Sequence, residues 1–184
     1  YHVEFMEDGK TMINILYEDN HLLVVEKPVN ILVQSDDTKD MDLLTLLKKD
    51  LKKRYNKPGN VFLGLIHRLD RPVGGIMVFA KTSKAASRLS EQIRAHKVEK
   101  KYYAIIEGKM DKKAGTLIDY LKKDEKQNKT YIDKNGKEAI LSYKIISEKN
   151  RYSLVDIDLE TGRSHQIRVQ FSSRNHPLYG DQKY

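Results

Sequence analysis

Apolar residues recur along this chain with two different periods. Residues 13–17 (Ile-Asn-Ile-Leu-Tyr) and 22–26 (Leu-Leu-Val-Val-Glu) are short, β-branched and aliphatic runs, which predicts two strands around the turn-forming cluster Glu18-Asp19-Asn20-His21. Lys27-Pro28 stops the second strand, because proline has no N–H to donate to a ladder. From residue 40 to 54 the period changes. Leu43, Leu47 and Leu51 recur at spacing four, with Leu44 and Leu46 widening the stripe, and a helix follows. Asp40 or Asp42 is placed to cap its start, and Lys48, Lys49, Lys52 and Lys53 favour its C-terminal end. Residues 61–66 and 76–80 read as buried strands, and residues 100–108 as another. Between them, Thr82 or Ser83 opens a second helix running to about His96, with Ala85, Leu89 and Ile93 on one face.

The second half alternates. Residues 116–121 suggest a short strand, and Asn135-Gly136 is a strong turn signal. Residues 138–147 and 151–160 then form a hairpin around Glu148-Lys149-Asn150, and residues 167–171 continue as a strand or the start of a helix. Many strands on short turns with few helices give an α+β class. The expected architecture is a mixed, mostly antiparallel central sheet with a few flanking helices. Residues 1–12 are polar and lack a pattern. They are expected to be a disordered or linker lead-in to one domain, single or bilobed, over residues 13–184.

Composition narrows the function. No apolar run approaches the length of a membrane helix and no secretory pattern opens the chain, so no membrane partner is expected and the cytoplasm is the default compartment. The absence of Cys excludes disulfide and thiolate chemistry. The six His show no zinc spacing, and there is no dinucleotide fingerprint or Walker loop, so neither metal nor cofactor is expected. The net charge of +8 fits a polyanionic partner, RNA or DNA ahead of an acidic membrane, or else a merely Lys-rich soluble protein. Two segments concentrate the charge. Residues 84–101 carry six Lys/Arg against two Glu, and residues 109–137 carry nine Lys against five acids, a net of +4 in each. Both are candidate phosphate contacts.

The chemistry centres on His67-Arg68-Leu69-Asp70-Arg71-Pro72-Val73-Gly74-Gly75, set between the apolar runs at 61–66 and 76–80. A chain that leaves a core strand, presents one carboxylate between two arginines and re-enters the core holds that Asp on a rigid rim, where catalytic groups tend to sit. The plainer alternative is a salt-bridged connector turned by Pro72 and the glycines.

Five motifs in order resemble the RluA-like pseudouridine synthase family. They are Glu18-Asp19-Asn20-His21-Leu22-Leu23-Val24-Val25 with Lys27-Pro28; His67-Arg68-Leu69-Asp70-Arg71 through Gly75 to Phe79-Ala80-Lys81; Lys100-Lys101-Tyr102-Tyr103-Ala104 with Glu107-Gly108; Leu159-Glu160-Thr161-Gly162-Arg163-Ser164-His165-Gln166-Ile167-Arg168; and Pro177-Leu178-Tyr179-Gly180-Asp181. The resemblance covers roughly residues 13–184. Gly74 stands where many members carry Ser, a change expected to be tolerated beside a turn. Members usually continue past Gly180-Asp181 with further strands, so the catalytic domain is expected to be truncated at its C-terminal side.

The resemblance implies an isomerase acting on rRNA or tRNA. It breaks the C1′–N1 bond of a uridine, turns the uracil and joins C5 to C1′, which needs no redox carrier. Asp70 is the implied catalytic carboxylate, attacking C1′, adding to C6 or abstracting the 2′ proton. Arg163 is the implied cation that keeps a pocketed carboxylate ionised, a guanidinium being able to hold both oxygens. Tyr102 is implied at the uracil face, where stacking is worth about 1–3 kcal/mol. Arg68 fills the place of the flipped base, and His67, Arg71, Lys81, His165 and Gln166 are further substrate or RNA-binding candidates. For His67, His165 and Gln166 structural support is the competing role. A monomer is expected from family habit. A non-catalytic RNA-binding module on the same fold is the alternative, and a carboxylate-based hydrolase would want a second carboxylate that the core motif lacks.

Overall fold

The computed structural model describes residues 2–5, 11–36 and 39–184. The chain forms two compact units, Tyr1–Ala95 and His96–Tyr184. Each holds its own five-stranded sheet, and every ladder among the named strands is antiparallel. The α+β class therefore stands, with two sheets where one central sheet was expected.

In the first unit the strands are β1 (His2–Phe5), β2 (Thr11–Glu18), β3 (Leu22–Lys27), β4 (Gly64–Leu65) and β5 (Gly75–Ala80), in the order β1-β2-β3-β5-β4. Part of the expected lead-in is thus a strand: residues 2–5 pair with residues 11–14. Residues 1 and 6–10 lie outside the described residues. Helix α1 (Leu43–Arg54) starts where Asp42 accepts from the Thr45 N–H at 2.8 Å, a cap worth about 1 kcal/mol. Its leucines 43, 44, 47 and 51 pack with Ile13, Leu23, Val25, Met77 and Phe79, so the core lies between this helix and the sheet. The run at 61–66 is strand only at Gly64–Leu65, although Val61 and Leu63 are buried. Gly64 allows close packing there, because a Cβ would lie 3.0 Å from the Ala86 Cβ and helix α2 (Ser83–Arg94) would have to give by a few tenths of an ångström. The N-cap of α2 is Thr82, whose hydroxyl accepts from Ala85 N–H, and the helix ends two residues short of His96, which has φ +54°.

The second unit has the order β6-β10-β9-β7-β8. These are β6 (Lys100–Glu107), β7 (Ala114–Asp124), β8 (Lys129–Ile132), β9 (Lys137–Lys149) and β10 (Tyr152–Leu159). Residues 167–171 belong to a helix, α3 (Gln166–Ser172), rather than a strand. It lays Phe171 on one face of the sheet among Ile106, Leu117, Leu141, Val155 and Ile157. The opposite face of that sheet carries Tyr103, Ile105, Ile118 and Tyr120, all exposed.

Candidate active site

The segment carrying Asp70 is a connector between β4 and β5, folded back on itself where the Val73 N–H donates to the Asp70 carbonyl at 2.9 Å. What holds it is Lys27, at the end of β3. Leu23, Val25 and Lys27 alternate inward along that strand, and Lys27 is only 1% exposed. Its ammonium donates to the carbonyls of Pro28 (3.0 Å), Arg71 (3.0 Å) and Val73 (2.7 Å). Three N–H donors meet three acceptors, the full capacity of the group. Burial lowers the Lys27 pKa to about 8, while the charge of Asp70 pulls it upward. The loop is thus pinned just beyond Asp70, at Arg71 and Val73, by a cation that senses the carboxylate. Lys27 was read only as part of a motif. The signal that could have singled it out is a lysine at an inward strand position.

His67 supports the same loop: its Nε2 accepts from the Val78 N–H at 3.0 Å, which ties the exit of β4 to β5. The exposed Arg68 reaches Gln34 Oε1, and Arg71 pairs with Asp40 at 2.9 Å on the surface. Asp70 itself is half-buried. A Cβ at Gly74 would lie 3.2 Å from Val29 Cγ1, so the serine common in the family would require Val29 to give. Lys81 is elsewhere engaged. Its ammonium lies 2.7 Å from Glu18 and 4.8 Å from the centre of the Tyr55 ring, and Glu18 also faces Arg54 at 2.8 Å. That network joins β2, α1 and the exit of β5, which gives Lys81 a structural use.

In the second unit Tyr102 lies on the core side of β6, packed partly buried beside Ile157 and its neighbours. Tyr103 points the other way and is 73% exposed. Arg163 follows β10 in the half-buried turn before α3. Its Nε donates to the Glu138 carbonyl at 2.8 Å, and its backbone N–H donates to Gln166 Oε1 at 2.9 Å. The same Gln166 oxygen accepts from the Thr161 hydroxyl at 2.8 Å, and its amide donates to the Ile140 carbonyl and to Gln170. Gln166 is buried and fixes the Arg163 turn. His165 adopts φ +53°, and its Nδ1 is 2.7 Å from the Tyr184 hydroxyl. Arg168 grips Asp181 with two bonds, at 2.7 and 2.8 Å. Burial raises the Asp181 carboxyl, but Arg168 and the N–H groups of Lys183 and Tyr184 hold it below its ordinary value. Lys100 lies beside the Arg163 turn, since a Cβ on Gly162 would meet its ammonium at 3.0 Å. Burial and then the Arg163 charge lower the Lys100 pKa, so this turn concentrates positive charge.

Residues 21–173 match the RNA pseudouridylate synthase family, and the chain belongs to that family. It is 35% identical over 176 residues to "Uncharacterized RNA pseudouridine synthase YhcT" of Bacillus subtilis, covering 94% of this chain and 57% of that protein. It is 36% identical over 174 residues to "Ribosomal large subunit pseudouridine synthase C" of Buchnera aphidicola subsp. Schizaphis graminum, covering 93% and 54%. Among solved structures, the human "RNA Pseudouridylate Synthase Domain Containing 4" superposes with a TM-score of 0.78 at 28% identity, covering 92% of this chain and 68% of that one. The chain spans about half the length of the curated relatives it matches.

Proposed function

We propose that this chain carries an RNA pseudouridine synthase activity, isomerising uridine within RNA through Asp70. The observation that carries the reading is the Asp70 loop. In a chain of this family, one carboxylate sits between Arg68 and Arg71 on a segment whose next carbonyls, those of Arg71 and Val73, are clamped by buried Lys27. A reaction at C1′ needs a carboxylate whose position does not drift, because small misplacements of a reacting group cost large factors in rate.

The assigned roles are these. Asp70 is the ionised carboxylate that attacks C1′, adds to C6 or removes the 2′ proton. Arg163 is the cation the family resemblance assigns to that carboxylate, an adjacent cation favouring its ionised form. Tyr102 holds the uracil by stacking while the glycosidic bond is open. Arg68, exposed and two residues before Asp70, takes the place of the extruded base, whose removal from its stack costs a few kcal/mol. His67, Arg71, His165 and Gln166 act through the loops that carry these groups. The net charge of +8 supports an RNA partner, and the names of the relatives favour ribosomal RNA over tRNA. No described helix is long and apolar enough to cross a membrane. The proposed setting, from family habit, is a cytoplasmic monomer.

The test is Asp70→Asn. The variant is expected to fold and bind RNA but to form no pseudouridine, and a variant that retained activity would remove Asp70 from the mechanism.

A further inference from the structure

The basic hairpin of the second unit lies outside the proposed chemistry, and its pattern is specific. In β7, Ile118, Tyr120 and Lys122 alternate onto the outer face, and Lys122 lies directly opposite Tyr131 of β8. Tyr120 is two residues before Lys122, so Tyr120 and Tyr131 are diagonal neighbours on adjacent antiparallel strands, about 7–8 Å apart. Both rings are open to solvent, at 45% and 42% exposure, beside Ile118 at 55%. β8 is the edge of the sheet, so nothing from this unit's sheet lies beyond Tyr131. Exposed lysines bracket the pair: Lys126 in the turn before β8 and Lys134 in the turn after it. Acidic groups are present too. Asp133 lies 4.0 Å from the Lys122 ammonium, Glu125 pairs with Lys123, and Glu138 accepts weakly from the Tyr120 hydroxyl. The hairpin, residues 114–138, carries six Lys against five acids, a net charge of +1 within a chain of net charge +8.

We propose that Tyr120 and Tyr131 form a stacking platform for two nucleotides of single-stranded RNA, with the bracketing lysines receiving the backbone phosphates. Two exposed rings at diagonal positions on the open face of an antiparallel sheet match the way sheet-based RNA modules seat successive bases. Every base has a π-face, so such a platform tolerates any sequence and serves the strand flanking a target rather than the target itself. The chain's net charge of +8, with exposed Lys126 and Lys134 beside the rings, favours a polyanion over an uncharged protein surface. This inference rests on RNA being the partner, but it does not depend on Asp70 chemistry.

The experiment titrates the 184-residue chain into fluorescein-labelled oligoadenylate of about twelve nucleotides, which contains no uridine, and reads anisotropy. The Tyr120→Ala/Tyr131→Ala pair is expected to weaken binding by about tenfold or more, and the Tyr→Phe pair to stay within about twofold of wild type. Circular dichroism checks that the variants fold. A photoreactive 8-azidoadenosine oligomer on the wild-type chain gives an independent reading, expected to label peptides containing Tyr120 or Tyr131. Unchanged binding in the alanine pair, no binding by wild type, equal loss in the phenylalanine pair, or labelling confined to other peptides would each overturn the proposal. So would sedimentation showing a dimer that the alanine pair disperses, since the face would then belong to a second copy. Uridine isomerisation measured in parallel keeps the two readings apart. Intact isomerisation with unchanged oligoadenylate binding removes only the platform, and lost binding in the alanine pair without any wild-type isomerisation removes only the enzyme.

Discussion

The ammonium of Lys27 donates to the carbonyl oxygen of Arg71, one residue beyond Asp70, at 3.0 Å. This contact joins the end of a core strand to the loop that carries the proposed chemistry. Replacing Lys27 with Met keeps an unbranched side chain one atom shorter and removes all three donors. Lys27→Met is expected to lower kcat by about a hundredfold while RNA affinity changes little. Steady-state kinetics beside a filter-binding assay measures both.

The same residue sets a pH limit. Burial holds Lys27 near 8, and as the pH rises through that value the ammonium becomes an amine with two donors for three carbonyls. Activity is expected to fall above about pH 8, and the fall should be missing from the residual activity of Lys27→Met. A pH–rate profile from 6 to 10 at about unit spacing checks it.

Glu18 governs acid stability. Burial opposes its ionisation, but hydrogen bonds from Lys81, Tyr55 and Arg54 overcome that and hold its pKa at about 2, against 4.5 ordinarily. A carboxyl with a lowered folded pKa stabilises the fold fully above its unfolded value and loses that contribution as the pH falls toward the folded one. The melting temperature should therefore drop between pH 4.5 and 2, and Glu18→Gln should flatten that drop. At neutral pH, Glu18→Ala leaves Lys81 and Arg54 without their common partner and is expected to cost about 3–5 kcal/mol in urea unfolding.

Gln170 is fully buried, and its amide nitrogen donates to Asp119 Oδ2 at 2.9 Å and to the Ala139 carbonyl at 3.2 Å. Gln170→Leu removes these bonds between β7, β9 and α3 and the acceptor for the Gln166 amide, although Arg174 keeps its hold on Asp119. A loss of about 1–3 kcal/mol is expected, read as a lower urea midpoint.

Strands and helices with a strong apolar period were legible in the sequence, because burial dictates the period. The α1 leucines and the cap residue Asp42 lie where the pattern put them. β8 was not visible, since Lys129-Thr130-Tyr131-Ile132 is an edge strand with only Thr130 buried. Residues 61–66 looked like a strand because Val61 and Leu63 are apolar and buried, yet burial alone does not supply a ladder partner. In the candidate site, Asp70 and its arginines were legible as a motif. Lys27 as a clamp was not, because the three carbonyls it serves are backbone atoms that no residue type announces. The Glu18 partner of Lys81 was hidden for a related reason: the two lie far apart in the sequence, and no spacing announces their pairing.

The central claim is an isomerisation at uridine through Asp70. Tritium release from C5-labelled uridine in bulk ribosomal RNA and tRNA, with the wild-type chain and Asp70→Asn side by side, tests it most directly. Release by the wild-type chain and none by Asp70→Asn, with RNA binding equal in the two, is the expected result. Release that persists in Asp70→Asn, or no release from either RNA by a folded wild-type chain, would contradict it.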